Sequence, residues 1–141
     1  MKSILIDLDL FQELSSKLLE EIRQNGKTYR AVLCPLRGGF YLSYFMSKHL
    51  GIPMEYIRIS SYDKTERKEF SVGIRSDLGE YLLLLCDDIY DSGRTIKMIH
   101  SLYPRVSFDA ACLVSKVQDA PVYFGMHVSQ DVWVHFFWET M

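Results

Sequence analysis

The stretch Leu82-Leu83-Leu84-Leu85-Cys86-Asp87-Asp88-Ile89-Tyr90-Asp91-Ser92-Gly93-Arg94-Thr95 runs an apolar segment into three carboxylates and a small, hydroxyl-rich turn. Tyr81 to Cys86 is apolar throughout, as in a strand covered on both faces of a parallel sheet, and predicts a central strand. Thr95 to Tyr103 predicts a helix, stopped by Pro104. Ligands of open α/β sheets bind beyond the carboxyl ends of the strands, where Asp87 and Asp88 would stand. Ser92-Gly93-Arg94-Thr95 would wrap the start of the next helix, where free backbone N–H groups and the helix dipole attract phosphate. Gly93 permits close backbone approach, and the Ser92 and Thr95 hydroxyls add hydrogen bonds. A phosphate beside a carboxylate pair that grips hydroxyls or a divalent cation describes a sugar phosphate. In the plainer reading Asp87, Asp88 and Asp91 merely end a strand and cap a helix, which explains one such carboxylate more readily than three.

Outward from this stretch, strands and helices alternate. Asp9 followed by Gln12 predicts a capping box, and Phe11, Leu14, Leu18 and Ile22 recur at helical spacing up to a stop at Gly26. Ala31 to Cys34 reads as a strand, Arg37-Gly38-Gly39 as a turn, Phe40 to Leu50 as a helix and Tyr56 to Ile59 as a strand. Ser60 to Glu80 is polar and charged, with a weak strand signal from Phe70 to Ile74; it reads as a mobile excursion that can include a short hairpin. Val106 to Val114 is a further strand. Tyr123-Phe124-Gly125 and Val132 to Trp138 predict short strands at one end of the sheet. The order implies the α/β class: one domain over residues 1–141, with a mainly parallel central sheet flanked by helices on both faces.

Composition narrows the function. Sixteen basic against 18 acidic residues, a net charge of −2, argue against a dedicated nucleic-acid binder. No apolar run approaches the ~20 residues that span a bilayer. Met1 to Asp7 lacks a signal peptide's apolar segment, so a cytoplasmic location is expected. Cys34, Cys86 and Cys112 lie far apart within apolar runs, which fits buried free thiols better than a disulfide framework or a zinc site. The sequence contains neither a Walker A loop nor a Gly-x-Gly-x-x-Gly fingerprint, and its carboxylate spacing is not that of an EF-hand.

Asp87 to Thr95 resembles the phosphoribosyl-diphosphate (PRPP) motif of type I phosphoribosyltransferases: four apolar residues, two acidic ones, then x-x-Asp-Ser/Thr-Gly-x-Thr. The resemblance implies the type I phosphoribosyltransferase fold, with a flexible hood loop and short C-terminal strands. It implies that Asp87 and Asp88 hold the ribose hydroxyls, directly or through Mg²⁺. Asp91, Ser92, Gly93, Arg94 and Thr95 would cradle the 5-phosphate, with Asp91 near the incoming base as its proton acceptor. Cys34 to Gly39 resembles the family's pyrophosphate loop, in which Arg37 and the amides of Gly38 and Gly39 would bind the diphosphate; alone, Arg-Gly-Gly reads better as a plain strand-to-helix turn, and its position one strand–helix unit before the second loop is what favours the pyrophosphate loop. Ser61 and Tyr62 match the Ser-Tyr pair of the hood loop, which closes over PRPP and excludes water.

Lys116 ends the strand after the central helix, where a lysine is ordinarily a surface residue. In the 6-oxopurine branch of the family a lysine here donates to the purine O6. The segment from Tyr123 to Glu139 resembles that branch's closing segment, implying stacking by Trp133 and backbone recognition by Val134. Trp133 also reads as a core aromatic. An ammonium only donates, so Lys116 suits guanine, hypoxanthine or xanthine over adenine. The bacterial xanthine-guanine and hypoxanthine enzymes are the branch this chain resembles. It departs from them in three places. The chain reaches Met141 soon after Glu139, where those enzymes continue; Val117-Gln118-Asp119-Ala120-Pro121 replaces a small Gly- or Pro-containing turn; and Phe124 replaces a valine-like residue.

The resemblance therefore implies a purine-salvage enzyme. It would transfer the 5-phosphoribosyl group from PRPP to N9 of a 6-oxopurine, with Mg²⁺ as cofactor and self-association as a dimer or tetramer. A PRPP-binding regulator without turnover is the reading from another class. An RNA-binding form of it would need a basic face, which a net charge of −2 does not suggest.

Overall fold

Leu83, Leu84 and Leu85 are all but fully buried, so one strand is covered on both faces and the rest of the fold is arranged around it. The computed structural model describes residues 2–62, 67–70 and 79–140. Its elements run β1 (Lys2–Ile6), α1 (Leu8–Gln24), β2 (Val32–Leu36), α2 (Phe40–Leu50), β3 (Met54–Tyr62), β4 (Arg67–Phe70), β5 (Leu82–Tyr90), α3 (Arg94–Leu102), β6 (Ser107–Ser115), β7 (Tyr123–His127), β8 (Val132–Phe136) and a 3₁₀ turn (Phe137–Thr140). The main sheet has the order β4-β3-β2-β5-β6-β7. Its β2, β3, β5, β6 and β7 are parallel and β4 is antiparallel to β3.

Alternate residues of β5 point to opposite faces. Leu84 and Cys86 pack with Leu14, Leu18, Leu42 and Met46 of α1 and α2. Leu83 and Leu85 pack with Ile99 of α3 on the other side. The layers are those expected, with β5 central and α1 burying its predicted stripe of Phe11, Leu14, Leu18 and Ile22. Gly51 stops α2 in the left-handed conformation at φ 68°.

Several boundaries differ from the sequence reading. The cap of α1 is Asp7, whose side chain accepts from the Leu10 N–H at 2.8 Å; Asp9 sits inside the first turn. Strand β5 does not end at Cys86. It continues through both aspartates because β6 pairs with it as far as Tyr90↔Ser115. Strand β1 was not anticipated, and it pairs in parallel with β8 to form a separate two-stranded sheet. Of the two tail strands, only β7 joins the main sheet. The hairpin in the charged excursion is present as β3–β4, with Tyr62 opposite Arg67, but its second strand is Arg67–Phe70. The remainder of the Phe70–Ile74 signal and most of the hood loop lie outside the described residues.

Candidate active site

A cavity of about 370 Å³ opens beyond the carboxyl ends of β2 and β5. Its wall takes every residue from Asp87 to Thr95, with Leu36 from the end of β2, Gly38 from the β2–α2 loop and Cys112 from β6. The two carboxylates line the same cavity and interact with each other. Asp87 stands opposite Cys112 in the β5–β6 register, while the Asp88 carboxylate lies against Gly38. The Asp88 N–H donates to Asp87 Oδ1 at 2.9 Å, and the Ile89 N–H donates to Asp88 Oδ1 at 2.7 Å. Burial, then the neighbouring charge of Asp88, raises the Asp87 carboxyl well above its usual range. Burial chiefly raises that of Asp88, and the negative charge of Glu139 adds to it. Two carboxylates held in a setting that disfavours their charge will bind a cation or a hydroxyl donor in preference to remaining bare.

The loop after β5 turns at Gly93, the N-cap of α3, with φ 76°. A side chain there would be strained, and its Cβ would meet the Tyr90 hydroxyl at 2.7 Å. The first internal bond of α3 runs from Lys97 N to Gly93 O at 3.0 Å, so the preceding amides have no helical partner. Asp91 and Ser92 are exposed at the cavity mouth, Arg94 is exposed, and Thr95 is half-buried. On the opposite side, Gly39 is packed so closely that a Cβ would meet the Cys86 carbonyl at 2.6 Å and the Pro35 carbonyl at 2.8 Å. The Leu36–Arg37 peptide bond between β2 and this loop is cis.

The donor set fits Mg²⁺. The ion prefers oxygen ligands and is commonly held by one or two carboxylates together with substrate phosphates. Asp87 and Asp88 are such a pair.

The structure thus gathers Gly38, Asp87, Asp88, Asp91, Ser92, Gly93, Arg94 and Thr95 around one cavity. Arg37 is exposed and does not line it. The backbones of Ser61 and Tyr62 pair with Lys68 and Arg67 in the β3–β4 hairpin, and their side chains lie outside what is described. Lys116, Trp133 and Val134 lie outside the cavity wall and form a second group. Lys116 Nζ donates to the Gln130 carbonyl at 3.3 Å and to the Val132 carbonyl. Trp133 is 58% exposed, so it is not a core aromatic, whereas Val134 is buried. The backbone joins the two groups, because the Lys116 N–H donates to the Tyr90 carbonyl at 2.8 Å. The sequence reading missed Tyr90, Cys112 and Glu139. Cys112 and Glu139 come near the carboxylates only through the fold, and no local signal marks them.

A family model described as "Phosphoribosyl transferase domain" matches residues 4–140. The xanthine-guanine phosphoribosyltransferase of Cereibacter sphaeroides is 33% identical over 119 residues, covering 79% of this chain and 70% of that protein. The solved purine phosphoribosyltransferase of Pyrococcus horikoshii Ot3 superposes with a TM-score of 0.83 at 22% identity, covering 98% of this chain and 95% of that one. The Helicobacter pylori xanthine-guanine-hypoxanthine phosphoribosyltransferase does so with a TM-score of 0.76 at 26% identity, covering 96% and 92%.

Proposed function

The chain belongs to the type I phosphoribosyltransferase family, a family of pentosyl-transferring enzymes, and from that premise we propose that it is a purine-salvage enzyme. It transfers the 5-phosphoribosyl group from PRPP to N9 of guanine, xanthine or hypoxanthine and releases pyrophosphate. One observation carries the reading: a single cavity sets the Asp87–Asp88 pair against the start of α3, with Gly38 on its other wall. A hydroxylated sugar fits the carboxylates, and its phosphate fits the free amides and hydroxyls of Ser92 to Thr95.

In this reading Asp87 and Asp88 orient the ribose hydroxyls, directly or as ligands of Mg²⁺, which when bound supplies charge neutralisation for the departing diphosphate. Arg37 and the amide of Gly38 hold that diphosphate, while the Gly39 N–H is taken by the Pro35 carbonyl at 2.9 Å and shapes the loop. Asp91 accepts the proton of the purine imidazole, a contribution of about 10²–10⁴-fold for general-base catalysis. The rest of the acceleration comes from alignment and from preorganised charge around an oxocarbenium-like transition state. Trp133 stacks on the base, Lys116 donates to its O6, and the Val134 carbonyl receives its edge. Ser61 and Tyr62 belong to the hood that covers PRPP. The enzyme works as a homo-oligomer, dimer or tetramer, in the cytoplasm. No helix among the described residues is long and apolar enough to cross a membrane.

The test is incubation of the purified protein with PRPP, Mg²⁺ and each of guanine, xanthine, hypoxanthine and adenine. Nucleotide is expected from the 6-oxopurines. Failure to form nucleotide from any base overturns the enzymatic reading. Adenine as the best acceptor overturns the role of Lys116.

A further inference from the structure

Position 115 is a serine with no exposed surface, at the last residue of β6, immediately before Lys116. Its hydroxyl donates to the Val117 carbonyl at 2.6 Å and accepts from the Val117 N–H at 3.1 Å. One side chain thus satisfies both backbone groups of the residue two places on, a local pattern by which Ser shapes a turn. The segment that follows, Val117-Gln118-Asp119-Ala120-Pro121, has no glycine to make the turn by backbone freedom, and its proline comes four residues later. The residues around the hydroxyl are pinned as well. The Lys116 N–H donates to the Tyr90 carbonyl at 2.8 Å, and the Val128 N–H donates to the Ser115 carbonyl at 2.9 Å.

Lys116 lies inside this turn, between Ser115 and Val117. Lys116 Nζ reaches the carbonyls of Gln130 and Val132, the latter directly before the exposed Trp133. An ammonium has three N–H bonds. Two are directed at these carbonyls, and the third is left for a ligand.

We propose that Ser115 is the positioning residue for Lys116: its hydroxyl closes the 115–117 turn that aims the ammonium at the base. The inference rests on the 6-oxopurine reading above and adds to it the group that fixes the lysine. Ser115 does not touch substrate. Its effect passes through the direction of Lys116 and is therefore confined to the base.

The experiment compares Ser115→Ala, Ser115→Thr and Lys116→Met with the unaltered enzyme in steady-state kinetics with guanine and PRPP. Losing a hydrogen-bonded turn is expected to raise KM for guanine about tenfold in Ser115→Ala, the size of one such bond, with KM for PRPP within about twofold. Ser115→Thr keeps the hydroxyl and is expected to restore the guanine KM. A general structural defect would instead lower kcat or the active fraction without singling out the base. Lys116→Met with an altered guanine KM beside an unaffected Ser115→Ala overturns the positioning role. Lys116→Met with an unaltered guanine KM overturns the lysine's role and this inference with it. Amide hydrogen exchange without substrate supplies a reading independent of turnover, including for a protein that forms no nucleotide. Ser115→Ala, or Ser115→Cys where the alanine variant does not fold, should lose protection at the Val117 amide; unchanged protection there overturns the proposal.

Discussion

The Asp88 carboxylate fills the space over the Gly38 α-carbon, so that a β-carbon at position 38 would overlap it. At position 39 the obstacle is backbone, the Cys86 carbonyl at 2.6 Å and the Pro35 carbonyl at 2.8 Å. The two glycines should therefore fail differently. Gly38→Ala displaces a side chain of the candidate site and should lower kcat/KM about 100-fold, the scale of a misplacement of roughly 1 Å. Its melting temperature should hardly change. Gly39→Ala pushes two strands apart and should lower stability by about 1–3 kcal/mol, as overpacking does. Kinetics and thermal melts of the two variants separate the cases; a fully active Gly38→Ala enzyme would remove Asp88 from the reaction.

The half-buried carboxylates give the free protein a pH signature. Burial and the Asp88 charge raise the Asp87 carboxyl, so the folded state holds its proton to higher pH than the unfolded chain does. The stability tied to that proton is complete below the unfolded value of about 3.9 and is lost as pH rises through the higher folded value. Asp87→Asn keeps the oxygen that accepts the Asp88 N–H and removes the charge. The variant should melt close to the unaltered protein near pH 4, above it at pH 8, and be inactive. Calorimetry at the two pH values decides this, and an equal difference at both would show that the charge of Asp87 costs the fold nothing.

Much of this site was readable because its chemistry is contiguous. Asp87 to Thr95 carries the carboxylates, the turn and the helix start in one run, and the fold needs only to bring Gly38 against it. The apolar leucines before them gave the central strand for the same reason. The end of β5 was not readable, because Asp87 and Asp88 resemble a strand terminus by propensity. Pairing with β6 overrides that preference and carries the strand to Tyr90. Strand β1 escaped because its outer face is exposed and its partner is β8, about 130 residues away by the Lys2↔Val132 register. The cap at Asp7 was displaced by Asp9, which has the same chemistry two residues later; only the hydrogen bond to Leu10 tells them apart. Asp7→Ala should cost about 1 kcal/mol of stability, the usual worth of such a cap, while Asp9→Ala should cost less.

Trp133 offers its ring to solvent, 58% exposed, on the outward face of β8 where the His135 ring centroid is 6.1 Å away. An aromatic so exposed contributes little to the core, so Trp133→Ala should leave the melting temperature nearly unchanged. Stacking of a base on an aromatic ring is worth about 1–3 kcal/mol, so the affinity for the guanine nucleotide product should fall roughly 5- to 150-fold. The measurement is the equilibrium binding of the nucleotide product alongside a thermal melt. A large loss of stability with unaltered binding would place the ring in the fold and not in the site.

The three cysteines Cys34, Cys86 and Cys112 are buried free thiols, and their chemistry reports on the same carboxylates. Burial pushes the Cys34 thiol up to about 11 and those of Cys86 and Cys112 well above their usual range. Only the thiolate attacks a disulfide reagent, so the native protein should react with an aromatic disulfide at pH 8 far more slowly than a free thiol does. All three thiols should become titratable in guanidinium. Cys112 has a route to solvent, since it lines the cavity opposite Asp87. After burial, what opposes its ionisation is the charge of Asp87 and then Asp88. The Asp87 charge also raises the Cys34 thiol, but Cys34 has no exposed surface and lies off the cavity wall. Neutralising Asp87 in the Asp87→Asn variant should therefore speed labelling most at Cys112, with Cys34 still held back by access. Mass spectrometry of the labelled peptides resolves the two sites, and an unchanged rate at Cys112 would show that the field of Asp87 does not keep its thiol neutral.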